Sequence, residues 1–209
     1  MKLAIFGATG RTGQPLVALA LAQGYEVVAL ARTPALLPLT HPKLVVLPGD
    51  VLRLADVAQT VRGTEAVLTV IGHSHTTPRN LLAVGTQHML TAMHQHDVQR
   101  LICLTGAGVA DPHDRPKLVH YLFTLALKLM AGDVLADAKQ QYEAIRRSSL
   151  DWTVVRVPRL LEGPATGHYR IGWVGINTGT QIRRADVADF LLTQLTDATY
   201  LRQAPLVSN

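Results

Sequence analysis

A glycine-rich turn near the start of the sequence limits what this chain can fold into. An apolar run at residues 3–6 leads directly into Gly7-Ala8-Thr9-Gly10-Arg11-Thr12-Gly13, and helical spacing follows at residues 12–23. Glycines at this spacing let a strand turn tightly into a helix and bring backbone N–H groups close to a ligand. Because the helix N-terminus adds a partial positive charge, the turn predicts a dinucleotide site in which Gly7, Thr9, Gly10, Arg11, Thr12 and Gly13 bind pyrophosphate. The alternative is an ordinary glycine-rich turn.

Apolar runs and helical patterns alternate along most of the chain. The runs lie at residues 3–6, 27–31, 44–47, 66–71, 100–104 and 152–157, and they are rich in Val, Ile and Leu, as buried parallel strands are. Helical spacing occupies residues 12–23, 54–62, 79–96 and 117–148. This order predicts right-handed strand–helix–strand units and an α/β fold of the Rossmann type, with a doubly wound parallel sheet.

The last fifty residues depart from this order. Residues 158–181 are rich in Gly and Pro, with a short strand expected at 169–174, and they precede a helix expected at 185–195 and a strand at 206–208. Ligands of doubly wound folds bind beyond the carboxyl ends of the strands, so this segment is placed to form a wall of the substrate crevice. We expect a single domain over residues 1–209, with residues 158–209 as a small C-terminal elaboration.

Composition narrows the class of protein. Of 209 residues, 48% are hydrophobic and 17% are charged, which supplies a core and excludes a disordered chain. Cys103 is the single cysteine, so no intrachain disulfide can form. The net charge of +5 comes from scattered basic residues in a chain with 5% aromatic residues, which does not favour a nucleic-acid partner. With no export signal or membrane span recognised, we expect a cytoplasmic monomer or homodimer that acts on a small molecule.

The residues after the second and third strands predict the choice of cofactor. NAD enzymes place Asp or Glu after the second strand, whereas an Arg there accommodates the 2′-phosphate of NADP. Arg32 follows the run 27–31 and can pair with a phosphate bidentately, so NADP(H) is preferred over NAD(H), unless Arg32 is simply a solvated strand-end residue. Asp50 is placed to accept the exocyclic amine of adenine, with Val51 against the ring, or to cap the helix at 54–62.

The residues after the fourth and fifth strands are expected to pass the ribose and the nicotinamide. Ile71, Gly72 and His73 follow the fourth strand, and Thr105 with Gly106 ends the fifth. The glycines permit close approach of the backbone to the cofactor. Thr105 either hydrogen-bonds near the nicotinamide or simply finishes its strand.

Four segments of this sequence carry a family resemblance: Gly7-Ala8-Thr9-Gly10, Gly49-Asp50-Val51, residues 149–158, and Arg184-Ala185-Asp186-Val187-Ala188. Over nearly the whole chain they resemble the atypical short-chain dehydrogenase/reductases, most closely the NmrA-like proteins and the flavin reductases of the biliverdin reductase B type. The resemblance implies NADP(H) binding and reductase activity, with the 2′-phosphate bound by the Arg after the second strand. It also implies that Val157, Pro158, Arg159 and Leu160 border the nicotinamide.

The proton relay of standard short-chain dehydrogenases, Tyr-x-x-x-Lys, is absent, because no Tyr has a Lys four residues after it. Lys139 looks like the family's Lys on the helix after the fifth strand, but Leu135 occupies the Tyr position. Lys139 either holds the nicotinamide ribose or is a solvated helix lysine. Lys139 and Thr105 are the two candidate catalytic residues. The Ser and His of interest in the related flavin reductases correspond to Gly106 and Arg159, so those roles do not carry over.

The nine histidines do not predict a metal site. His73-Ser74-His75 and His94-Gln95-His96 are both HxH, but no HExxH motif or cysteine accompanies them. His73 and His75 are instead expected to line the mouth of the cofactor site. The apolar segment 121–129 is expected in the core, or with its outer face over a flat substrate.

Two classes of function fit these features. Flavins and quinones accept hydride without a side-chain proton donor, since solvent can protonate the anion afterwards, so proximity and orientation can supply the catalysis. The first hypothesis is therefore an NADPH-dependent reductase of a flat conjugated acceptor. The second, which the missing Tyr favours, is an NADP(H)-binding sensor or scaffold of the NmrA-like type without turnover. A sugar-nucleotide epimerase is disfavoured by the missing Tyr and the short chain.

Overall fold

The computed structural model describes residues 1–74, 76–116 and 118–209, with residues 118–130 described only as part of their helix. The elements follow in the order β1 (Lys2–Phe6), α1 (Gly13–Ala22), β2 (Glu26–Ala31), β3 (Leu44–Pro48), α2 (Leu54–Val61), β4 (Ala66–Thr69), α3 (Leu81–Gln95), β5 (Arg100–Gly106), α4 (Leu118–Arg147), β6 (Asp151–Val157), β7 (Arg159–Leu161), β8 (Arg170–Gly172), β9 (Gln181–Arg183), α5 (Arg184–Thr193) and β10 (Leu206–Ser208). A short 3₁₀ turn, Pro34–Leu36, lies between β2 and β3. Through β6 the order of strands and helices is the predicted one, with small shifts of their ends.

Eight strands form the central sheet in the order β3-β2-β1-β4-β5-β6-β10-β8. Neighbouring strands from β3 to β10 run parallel, and β8 at the edge is antiparallel to β10. The strand order reverses beside β1, and in folds of this kind the ligand crevice lies at that point, outside the carboxyl ends of the strands. The predicted Rossmann-type architecture is confirmed.

Helices cover both faces of the sheet and form one apolar layer on each. On one side α1 and α5 pack on the strands, with Leu16, Val17 and Phe190 in the core. On the other side lie α2, α3 and α4, which contribute Met89 and Ile145 among others. Because both faces are covered, the central strands are apolar without alternation, which is why continuous apolar runs mark them in the sequence.

Two features of the C-terminal half were not predicted. β7 and β9 form a separate two-stranded parallel sheet, and α4 leaves helical geometry at Ala131, with φ −147° and ψ 40°. A strand of three residues is too short to show alternation, and the break in α4 involves no proline that would signal it. The pairing of β7 with β9 brings Pro158 and Leu160 beside the start of α5, where they line a cavity together with Arg184.

A buried ion pair fixes the loop that follows β5. Arg156 on β6 is fully buried, and its guanidinium donates to both carboxylate oxygens of Asp114 at 2.7 Å. The guanidinium also donates to two backbone carbonyls, while Asp114 accepts hydrogen bonds from the backbone N–H groups of Asp111 and Val174. These contacts compensate a charge that would otherwise be costly to bury. They also tie the loop to the segment before β9.

Candidate functional site

A cavity of about 340 Å³ opens at the carboxyl ends of β4, β5 and β6. Its walls come from the glycine turn, these strand ends, α4 and the region from β7 to α5. The predicted site residues that line it are Thr12, Ile71, Gly72, His73, Thr105, Val157, Pro158 and Leu160. Most of the wall is apolar with a few polar groups, a composition typical of small-molecule sites.

The glycine turn between β1 and α1 is shaped to receive an anion. Gly7 has φ +85°, and a Cβ on Gly13 would overlap the carbonyl oxygen of Gly7, so both positions require glycine. The backbone N–H groups of Thr9, Arg11 and Thr12 donate to no residue that the structure describes. Unpartnered N–H groups at the start of a helix are the arrangement that binds phosphate groups in proteins.

The residues expected around the adenosine lie at the adjacent strand ends. Arg32 is exposed at the end of β2. Asp50 forms a local turn before α2, in which its Oδ1 accepts a hydrogen bond from the N–H of Leu52 at 3.0 Å. Val51 is buried and packs in the core under α2 and α3. The carboxylate of Asp50 therefore shapes the turn, and its contact with adenine stays a prediction.

His73 is held at the cavity wall by a carboxylate from α4. Its Nε2 lies 2.8 Å from Oδ2 of Asp137, a side chain that is 2% exposed. The same carboxylate accepts hydrogen bonds from the N–H groups of Leu82 and Ala83, in the first turn of α3, at 2.7 and 2.9 Å. Asp137 thus caps α3 and orients His73. Sequence reasoning missed Asp137, because its partners lie at least 54 positions away along the chain.

Thr105, which lines the cavity, has an unpartnered hydroxyl. It lies at the end of β5 and is buried, and its Oγ1 has no hydrogen-bond partner among the described residues. A buried polar atom without a partner is destabilising unless a ligand or water supplies one. The expected hydrogen bond of Thr105 near the nicotinamide is compatible with this arrangement and stays a prediction.

The hydroxyls of two tyrosines are engaged away from the cavity. Tyr142 donates to Asp111 at 2.6 Å, and Tyr169 donates to Asp189 at 2.9 Å. Burial, together with the hydrogen bond to Asp189, raises the pKa of Tyr169 to about 12, and burial and Asp111 also raise the pKa of Tyr142. Of the side chains that the structure describes, no tyrosine lines the cavity. The side chain of Tyr121 lies outside them.

Lys139 and Arg159, two residues predicted to lie near the nicotinamide, do not line the cavity. Lys139 is exposed and faces a separate depression between α3 and α4, whereas its neighbour Ala138 lines the cavity. Its predicted contact with the nicotinamide ribose therefore finds no support in this geometry. Arg159 is exposed, and only its neighbours Pro158 and Leu160 line the cavity, because successive side chains of a strand point to opposite faces. Arg159 therefore does not line this cavity, and its expected position beside the nicotinamide stays a prediction.

Metal binding and membrane insertion find no support in the described residues. Among the side chains of residues 1–74, 76–116 and 131–209, no group of three or more His, Cys, Asp or Glu is placed to hold a metal ion. In the same ranges, no helix is both long enough and apolar enough to cross a membrane. His75, expected at the mouth of the cofactor site, and the side chains of residues 121–129, expected in the core or over a flat substrate, lie outside the described residues.

Arg184, at the start of α5, is a cavity residue that sequence reasoning did not assign. Its side chain is 11% exposed, and its Nη1 donates to Oγ1 of Thr12 at 2.7 Å. Its Nε donates to Oε1 of Glu162 at 2.8 Å. The sequence showed Arg184 only as part of a family motif, and a contact across 172 positions leaves no local pattern.

The residues present fit a nicotinamide dinucleotide. Unpartnered N–H groups and the guanidinium of Arg184 lie together at the glycine turn. They supply the positive charge and the donors that phosphate groups require. The cavity lined by Arg184 is mostly apolar, as a site for a nicotinamide ring requires, and Thr105 with its unpartnered hydroxyl is one of the described residues on its wall.

The sequence of this chain matches one family model and is similar to proteins that include a dehydrogenase and an oxidoreductase. A family model described as NAD(P)H-binding matches residues 7–198. The chain is 31% identical over 120 residues to a 3-beta-hydroxysteroid dehydrogenase from Mycolicibacterium neoaurum, which covers 52% of this chain and 32% of that protein. It is 27% identical over 186 residues to the oxidoreductase aflX from Aspergillus parasiticus, which covers 80% of this chain and 68% of that protein. The chain thus spans about a third of the length of the steroid dehydrogenase.

Solved structures share the fold over the whole chain. The oxidoreductase ylbE from Lactococcus lactis has a TM-score of 0.85 at 22% identity and is covered over 91% of its length. A short-chain dehydrogenase/reductase from Veillonella parvula in complex with NADP has a TM-score of 0.80 at 19% identity, with 94% covered. ChuY, an anaerobilin reductase from Escherichia coli O157:H7, has a TM-score of 0.79 at 21% identity, with 97% covered. Each match covers 100% of this chain.

Proposed function

Because the chain belongs to the NAD(P)H-binding family, we propose that it is an NADPH-dependent reductase that transfers hydride to a flat conjugated acceptor, such as a flavin or a quinone. The observation that carries this proposal is the apolar cavity beside the phosphate-binding turn, with Thr105 on its wall. An NADP complex and a named reductase among the proteins of the same fold support it.

The chain's own residues bind and orient the reactants. The cofactor, when bound, supplies hydride from its nicotinamide. The glycine turn holds the phosphates, the Thr105 hydroxyl offers one hydrogen bond at the cavity wall, and apolar side chains such as Leu104 and Val157 exclude water. Since no described tyrosine reaches the cavity, solvent protonates the reduced acceptor after hydride transfer.

The test is oxidation of NADPH by the purified protein in the presence of flavins, quinones and tetrapyrroles, with NADPH affinity measured in parallel. Turnover of at least one acceptor above the protein-free rate supports the reductase. Tight NADPH binding with no turnover across the panel would favour the alternative, a sensor or scaffold, which the lack of a tyrosine among the described cavity residues also favours. Failure to bind NADPH at all contradicts both.

Replacing Arg32 with alanine should weaken NADPH binding much more than NADH binding. If Arg32 pairs with the 2′-phosphate, loss of this charged hydrogen bond costs about 1.5–3 kcal/mol for NADPH and little for NADH. Titration of both cofactors measures the difference. Arg62→Ala, which removes an exposed arginine just after α2, is the matched control and should change neither affinity. Equal losses for both cofactors in Arg32→Ala would show that Arg32 does not bind the 2′-phosphate.

Removing single tyrosine hydroxyls should have little effect on turnover. With a flavin or quinone as acceptor, Tyr142→Phe, Tyr169→Phe and Tyr121→Phe should each lower kcat less than about tenfold, below the 10²–10⁴ typical of lost acid–base catalysis. The readout is steady-state turnover at saturating NADPH. A thousandfold fall for any of the three would identify a proton donor, and protonation by solvent would have to be abandoned.

A further inference from the structure

A small charged cluster at the glycine turn brings residues 11 and 12 together with residues 162 and 184. The guanidinium of Arg184 contacts Thr12 through Nη1 and Glu162 through Nε, at 2.7 and 2.8 Å. Oε1 of Glu162 also lies 3.6 Å from Nη1 of Arg11. The carboxylate is thus bound by two arginines, one of which, Arg11, belongs to the glycine turn whose N–H groups have no acceptor among the described residues. A carboxylate in this position makes the contacts that a phosphate oxygen would make.

The members of the cluster differ in how firmly they are held. The side chain of Arg184 is 11% exposed, so its charge requires an anionic partner close by. The side chain of Glu162 is 64% exposed, and that of Arg11 is 77% exposed. An exposed carboxylate returns to water at little cost, since exposed ion pairs contribute about 0–1 kcal/mol. The guanidinium is therefore the fixed part of the cluster, and the carboxylate is the part that can be exchanged.

We infer that Arg184 is a ligand of the cofactor's pyrophosphate, and that Glu162 is the counterion that the phosphate displaces. The inference rests on the proposed function, since it assigns a further binding residue to the same site. Arg184 contacts Thr12 of the glycine turn and lines the same cavity as Thr105 and Val157, where the proposed function puts the nicotinamide. It therefore binds the phosphate on the nicotinamide side, and the adenosine-side phosphate takes the N–H groups of the turn.

This arrangement makes binding an exchange of anions. In the protein without cofactor, Glu162 satisfies the buried charge of Arg184. On binding, a phosphate oxygen takes its place and Glu162 turns to solvent. Because Glu162 competes for the same guanidinium, its charge weakens cofactor binding, whereas the charge of Arg184 strengthens it. Both effects act on NADPH and NADH alike, in contrast to that of Arg32.

The test is equilibrium titration of the whole protein and its variants with NADPH, NADH and adenosine 2′,5′-bisphosphate, a probe without the nicotinamide-side phosphate. Arg184→Gln should weaken both dinucleotides about ten- to hundredfold and leave the bisphosphate unchanged. Unchanged binding of the bisphosphate also shows that the variant is folded. Glu162→Gln, which keeps the size and removes the charge, should bind both dinucleotides about two- to tenfold more tightly. In the double variant the effect of Glu162→Gln should disappear, because its target is gone.

Several results would overturn the inference. If Arg184→Gln binds both dinucleotides with wild-type affinity, Arg184 is not a phosphate ligand. If the substitution weakens binding of the bisphosphate as much as binding of the dinucleotides, Arg184 does not act through the nicotinamide-side phosphate. Weaker dinucleotide binding by Glu162→Gln would show that Glu162 supports the complex and is not displaced from it. Each of these outcomes presupposes that the wild-type protein binds NADPH, so each contradicts the inference without contradicting the proposed function. A wild-type protein that binds no NADPH contradicts the proposed function itself.

Discussion

Replacing Gly10 with valine should abolish NADPH binding while the protein stays folded. A Cβ at this position would meet only the carbonyl oxygen of Gly7, at 3.2 Å, so the turn can absorb it with a small shift. The rest of the side chain would occupy the open space in front of the turn, where the pyrophosphate is expected. Loss of several hydrogen bonds to phosphate predicts affinity at least about a hundredfold lower, or about 2.8 kcal/mol. Fluorescence or calorimetric titration with NADPH is the measurement.

Two further glycine variants make this result interpretable. Gly13→Ala would drive a Cβ into the backbone of the same turn, so it should lose both stability and binding. Gly132→Val changes an exposed glycine whose added Cβ would meet no described atom within 4 Å outside its own helix, and it should keep wild-type binding. Wild-type NADPH affinity in a folded Gly10→Val protein would remove the cofactor from the glycine turn.

The largest loss of stability should follow from Asp114→Ala. This change leaves the fully buried guanidinium of Arg156 without its carboxylate partner and also removes the acceptor for two backbone N–H groups. Breaking a buried ion pair from one side typically lowers the free energy of unfolding by about 3–5 kcal/mol. Urea denaturation followed by circular dichroism measures this free energy, with the slope of the transition as a check on two-state behaviour.

An exposed ion pair on the same protein provides the control. Glu143 pairs with Arg146 at 3.3 Å, and both side chains are more than 40% exposed. Glu143→Ala should therefore lower the free energy of unfolding by less than about 1 kcal/mol. If Asp114→Ala lowers the free energy of unfolding no more than Glu143→Ala does, burial does not make the ion pair between Arg156 and Asp114 important for stability.

The parts of the fold that could be predicted from sequence are those that a local pattern encodes. Parallel strands covered on both faces must be apolar, and a strand that turns into a helix over a phosphate needs glycine, so both features appear in consecutive residues. β7 and β9 lack such a signal, since each has three residues and each depends on a partner about 20 positions away. Arg156 is a charge within the apolar run 152–157, a signal of burial with a partner, but the sequence does not identify Asp114 as that partner.

The residues of the candidate site also divide into those that a local sequence pattern predicts and those that it does not. The glycine turn and the residues just after each strand lie where the alternation of strands and helices places them. Asp137 and Arg184 could not be assigned, because one reaches the site from the middle of a helix and the other from a helix start far along the chain. The resemblance located the segment 157–160 but not the side of the strand on which each residue lies, so it did not indicate that Arg159 is the member that does not line the cavity. Side-chain direction in a three-residue strand depends on pairing, which only the structure provides.

The placement of β10 inside the sheet makes two distant parts of the fold depend on one short strand. β10 pairs with β6 on one side and with the edge strand β8 on the other, and Asn209 just after it hydrogen-bonds to the N–H of Arg183 and to Asp186 at the start of α5. Loss of β10 and Asn209 would leave β8 and the start of α5 without these partners, while the backbone contacts of the glycine turn would remain. Local unfolding is therefore expected to begin on the side of the cavity formed by α5, before it reaches the glycine turn.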